Sequence, residues 1–128
     1  MISFDEIGDM LEEIACSLPP EFYKDLNGGV NLLPDIKMHP ESVRPGDLFI
    51  MGQYHYEPRG LGRYITIFYG SFIQVFGHYG PRKQKEELRK ILVHEFTHHL
   101  ESLGGERHLE YRDEIEMEKY KRRRGRKD

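Results

Sequence analysis

The string His94-Glu95-Phe96-Thr97-His98 sets two imidazoles four positions apart, with a carboxylate beside the first. On an α-helix that spacing is about 6 Å along the axis and about 40° around it, so both rings can reach one ion. Neutral imidazoles suit Zn²⁺, which at a catalytic site takes three protein groups and keeps its fourth position for water. Glu95 lies too far round the helix to be a natural third ligand. Its expected role is to accept the proton of the zinc-bound water as that water attacks a carbonyl. The same residues on a solvated face without metal are ordinary surface charge, so the motif is informative only in a helical context.

The flanking sequence supplies that context. Gly80-Pro81 opens the longest helical pattern of the chain, since Pro is tolerated at a first helical position. Leu88, Leu92, Phe96, Leu100 and Leu103 share one broad face, and Gly104-Gly105 stops the helix. His99 turns toward that apolar face, which predicts a hydrogen-bonded core histidine rather than a ligand.

The elements that must position this helix lie upstream. Ser3 and Glu6 form the S-x-x-E capping box, with Ile2 and Ile7 as a hydrophobic staple, so a helix starts at residue 4. Phe4, Ile7, Leu11, Ile14 and Leu18 make its core stripe until Pro19-Pro20 ends it. Residues 20–27 add one or two turns closed by Asn27-Gly28-Gly29. From Val30 to Met38 the period changes to two, which predicts a strand with one buried face, placed at a sheet edge by Pro34. Residues 47–56 and Arg63 to Tyr69 read as second and third strands joined through Gly60-Leu61-Gly62, and Phe72 to Phe76 as a fourth extended segment. Residues 106–120 are helix-prone. The expected class is α+β: an N-terminal helix, a three- or four-stranded mixed sheet, the active-site helix and a C-terminal helix.

Composition limits what such a domain does. The 128 residues, 38% of them apolar, suit one domain over residues 1–120. No apolar run approaches the roughly 20 residues that cross a bilayer, and MISFDEIGDM has no basic residue to open a signal peptide, so a cytoplasmic protein without a membrane partner is expected. Cys16 is the single cysteine and falls opposite the core stripe as a bystander thiol, which leaves His, Asp or Glu to hold any metal. Residues 121–128 (KRRRGRKD) carry six basic groups and are expected to fray; the remaining 13 basic against 21 acidic groups leave residues 1–120 at −8. A body of that charge repels phosphates, so nucleic acid is expected at most on the tail.

The order of an N-terminal helix, a sheet ending in GRYITIFYGSF and a helix carrying ILVHEFTHHL resembles the small zincin-like metallopeptidases of bacteria, over residues 1–118. The resemblance implies a minimal zincin fold and zinc-dependent peptide hydrolysis, with His94 and His98 as ligands and Glu95 as general base. It also implies a pattern H-E-x-x-H-x-x-G-x-x-D, from which this chain departs, because Glu101 and Gly104 occupy the Gly and Asp positions. Adding four residues, about one helical turn, restores the pattern as Gly105-Glu106-Arg107-His108, which makes His108 the candidate third ligand. Glu101 ranks second, since three ligands strung along one helix surround an ion poorly, and Glu106 and Glu110 stay open.

Tyr54-His55-Tyr56 and His78-Tyr79 contain groups able to stabilise an oxyanion, but no spacing selects either, and strand aromatics are more often packing. The expectation is a zinc metallopeptidase acting on short peptides or unfolded segments that add as a strand to the sheet edge. The rivals are a metal-dependent RNA hydrolase, which would employ the basic tail but would not need Glu95, and a non-catalytic module stabilised by zinc.

Overall fold

Ser3 closes the first turn of α1 (Phe4–Ser17) in both directions: its hydroxyl accepts from the Glu6 amide at 3.1 Å, and the Glu6 carboxylate accepts from the Ser3 amide at 2.9 Å. These contacts satisfy amide groups that the helix cannot pair internally. The structure, a computed structural model, describes residues 1–40 and 48–104. Ile7, Leu11, Ile14 and Leu18 are buried as the stripe predicts, while Phe4 stays at the rim, its ring edge-on to Tyr69. Cys16 is exposed on the far side. After Pro19 a short 3-10 turn, Pro20–Tyr23, drops Phe22 into the core.

The described residues form an α+β fold with three α-helices and two small sheets. β5 (Gly62–Phe68) is the centre of a mixed three-stranded sheet, parallel to β1 (Gly29–Leu33) and antiparallel to β4 (Gly52–Glu57). Ile65, Thr66, Ile67 and Phe68 are all buried, as befits a strand flanked on both edges.

Three expectations about the strands need correction. The alternation over Val30 to Met38 is not one strand: it breaks at Pro34, and Lys37–Met38 becomes β2 of a separate antiparallel ribbon with β3 (Phe49–Ile50). Pro34 has no amide to continue the ladder. The stretch 47–56 likewise divides at Met51 into β3 and β4, the Met51 carbonyl accepting from Phe68 N at 2.9 Å. The expected fourth extended segment is a helix, α2 (Tyr69–Phe76). Phe72 and Phe76 pack one turn apart with tilted rings and centroids at 5.2 Å, and Ser71 binds the broken strand: its amide donates to Asp35 O, and its hydroxyl accepts from Lys37 N at 2.7 Å. Gly70 permits this docking, because a Cβ there would lie within 2.7 Å of the Pro34 and Asp35 carbonyls. A short apolar run has no period of its own, and here the neighbouring backbone decides its conformation.

α3 (Pro81–Leu103) starts at Gly80-Pro81 and ends at Gly104, whose φ of 58° is left-handed. Leu88, Leu92, Phe96 and Leu100 are buried where the helix crosses the sheet and α1, and Phe96 packs against Phe22 and Tyr23 with centroids at 5.5 and 5.0 Å. Among the described residues no helix is long and apolar enough to cross a membrane. The expected C-terminal helix over residues 106–120, the domain limit at 120 and the tail 121–128 lie outside the described residues.

Candidate functional site

α3 presents its chemistry in two directions. His94 and His98 are exposed on the outer side of the helix, one turn apart, with their Nε2 atoms 3.1 Å from each other and their rings nearly perpendicular. Two nitrogens held about 2 Å from a tetrahedral zinc stand about 3.3 Å apart, so this pair has a separation that one ion accommodates. Glu95 points inward and is only 6% exposed. Burial pushes its carboxyl above the ordinary range, and the neighbouring His98 opposes that shift.

The facing wall is β4. A groove of about 780 Å³ runs between the two elements, lined from α3 by His94, Glu95, His98 and Glu101 and from the strand by Gly52, Gln53 and Tyr54. An adjoining hollow of about 340 Å³ shares Gly52, His94 and Glu95 and continues onto Phe49, Met51 and Ile91. β4 is the edge of the three-stranded sheet and runs antiparallel to its neighbour, so an extended chain laid in the groove would meet strand backbone on one side and the helix on the other.

His99 is fully buried and is the hydrogen-bonded core histidine that its place on the helix predicts. Its Nε2 lies 2.7 Å from the Lys24 carbonyl, which only accepts, so the proton sits on Nε2 and the Tyr54 hydroxyl donates to Nδ1 at 2.9 Å. The imidazole thereby ties α3 to β4 and to the turn after Tyr23. Desolvation lowers its pKa, so its contribution to stability is fully present above the unfolded value of 6.5 and is lost as the pH falls from there through the folded pKa. Thermal unfolding followed between pH 8 and 5 is therefore expected to lose less Tm on acidification in His99→Gln than in wild type. An equal slope in both would contradict the assignment of a neutral, buried His99.

The remaining candidates separate cleanly. Tyr54 lines the groove, but its hydroxyl is engaged by His99. His55 stacks on Tyr64 at 4.3 Å, on the other face of the strand, and Tyr56 lies exposed beneath Arg63. His78 and Tyr79 stack on each other between α2 and α3, and Tyr79 borders a different groove together with Met1 and Glu6. Glu101 shares the groove with His98, but among the described residues no three of His, Cys, Asp and Glu cluster as a metal group. His108, Glu106 and Glu110 lie outside the described residues.

One groove residue has no signal in the sequence. His39, half-buried after β2, reaches the same groove because the ribbon continues past its two pairs, with His39 N donating to Leu48 O at 2.9 Å. Its separation from the helical motif is set by a strand pairing that no local pattern announces.

No model of a known protein family matches the chain, and no curated protein matches it. Among solved structures the chain is similar to a conserved hypothetical protein from Thermo thermophilus, with 28% sequence identity and a TM-score of 0.66 over 79% of this chain and 96% of that one. The α+β architecture described above is thus shared along nearly the whole length of a second protein.

Proposed function

We propose that this chain is a zinc-dependent peptidase of minimal zincin type, cleaving short peptides or unfolded segments. The observation that carries the reading is the division of α3 at a single turn: two convergent imidazoles outward, and one buried carboxylate inward against the edge strand. A solvated charged face would not bury its carboxylate, and a core helix would not expose two histidines with their nitrogens converging.

His94 and His98 would hold the metal, and we assign the third protein position to His108. Zinc, when bound, supplies Lewis acidity toward a carbonyl and lowers the pKa of water. The chain's own residues supply the rest. Glu95 takes a proton from the attacking water and returns it to the amine that leaves. Burial favours this role, because a carboxylate with raised proton affinity is a stronger base than one in bulk water. β4 aligns the substrate backbone, and the groove on either side of Glu95 accommodates flanking side chains.

The test is metal content together with hydrolysis. The full chain, reconstituted with zinc and dialysed, should hold close to one zinc per molecule by elemental analysis and cleave an unstructured peptide library, with activity removed by a chelator and restored by zinc. His108→Ala should weaken zinc binding strongly and Glu101→Ala only slightly. No zinc retained from excess metal would overturn the reading. Metal-dependent cleavage of RNA in place of peptide would favour the nuclease alternative, and zinc binding without any hydrolysis the non-catalytic one.

A further inference from the structure

Gly52 occupies the second half of a feature that the helix alone does not build. It lies in β4 with an ordinary backbone conformation, since among the described residues the glycines with left-handed φ are Gly29, Gly62 and Gly104. Glycine in a strand weakens it and packs nothing, so where φ does not demand one, the remaining reason is close approach of another group. That group is identifiable. A Cβ built on Gly52 would stand 3.1 Å from both Cγ and Oε2 of Glu95 and 2.9 Å from Cγ2 of Ile91. The Ile91 methyl is too close to coexist with that Cβ, and the two Glu95 atoms are close enough that the carboxylate must also give way. The carboxylate is the partner with rotatable bonds, whereas Ile91 is β-branched and held in a helix.

On the reading of Glu95 as general base, we infer that Gly52 is a positioning residue: the side chain it lacks is the space in which the Glu95 carboxylate is seated against the edge strand. α3 fixes where Glu95 starts, and β4 fixes where its oxygens end. The seat also explains how a carboxylate on a helix with two exposed histidines stays 6% exposed while bordering an open groove. The close contacts of a Cβ at position 52 are with Glu95 and Ile91, so the seat acts first on the base. Any larger residue at position 52 turns the carboxylate toward the groove and away from the attacking water.

The experiment uses the full chain loaded with zinc. Gly52→Ala is expected to keep its zinc, to leave KM for a peptide substrate nearly unchanged, and to lower kcat roughly 10-fold, less than the roughly 100-fold cost of a misplacement of about 1 Å. A second readout needs no catalysis. Gly52→Ala should lower Tm by about 4 °C or more in the Glu95 background and by clearly less in the Glu95→Ala background, because the two contacts with Glu95 are then gone. Should Gly52→Ala fail to fold, Gly52→Ala/Ile91→Ala removes the methyl contact, leaves the two with Glu95, and carries the same measurements. Full zinc with wild-type kcat, or an equal loss of Tm in both backgrounds, overturns the inference. If the wild-type chain cleaves no peptide, the peptidase reading falls on that result alone, and the stability coupling still decides whether Gly52 seats the carboxylate.

Discussion

Glu95→Gln is expected to retain zinc and to lose hydrolysis of an unstructured peptide by about 10² to 10⁴-fold, the range supplied by a positioned general base. Gln keeps the size and polarity of Glu but takes no proton, and the residue is buried on α3 whereas the two imidazoles are exposed. A second consequence follows from its burial. A carboxyl whose folded pKa is raised contributes stability fully below its unfolded pKa and loses it as the pH rises through the folded pKa, so at neutral pH the ionised Glu95 is a cost to the fold. The metal-free Gln variant should therefore melt at a higher temperature than wild type at pH 7.5, and the difference should shrink toward pH 4. Activity lost and stability gained by one substitution is the pattern of a functional carboxylate; equal cleavage by variant and wild type would remove Glu95 from the mechanism.

The largest effect on metal binding is expected from His94→Ala and His98→Ala. Each leaves a single helical imidazole where two converge at 3.1 Å, and zinc affinity should fall by more than about 100-fold, since even groups that only orient a ligand are worth 10–100-fold. Both rings are exposed, so neither substitution opens a cavity, and the metal-free variants should melt near the metal-free wild type. Competition with a chromophoric chelator measures the first effect and thermal unfolding the second. Retention of stoichiometric zinc by either variant would place the metal elsewhere. A large fall in the Tm of the metal-free protein would instead make the pair structural.

The two long helices and the convergent histidine pair were legible because each rests on local rules. A capping box closes within three residues, an apolar face repeats every turn, and His94 and His98 meet through the geometry of the helix that carries both. The burial of His99 and the exposure of Cys16 follow from the same period. The strands were less legible. Two-residue alternation persists across Pro34 in the sequence, yet the ladder needs an amide that proline lacks, and the chain changes sheets there. α2 holds only eight residues, too few for a period to separate helix from strand, and its conformation depends on Gly70 and Ser71 meeting the backbone at residues 34–37.

By itself, then, the sequence determined which side chains α3 presents and on which faces, since helix geometry relates residues one turn apart without help from the rest of the chain. Only the tertiary structure decided what those faces meet. Tyr54 comes to His99 from 45 positions away, the Lys24 carbonyl from 75, and Gly52 to Glu95 from 43. Such contacts leave no periodic trace, because they are fixed by how the strands pair and how α3 lies across them. Whether the helical carboxylate is free in solvent or seated and desolvated is therefore a property of the packed fold, and that difference separates a charged surface helix from a candidate active site.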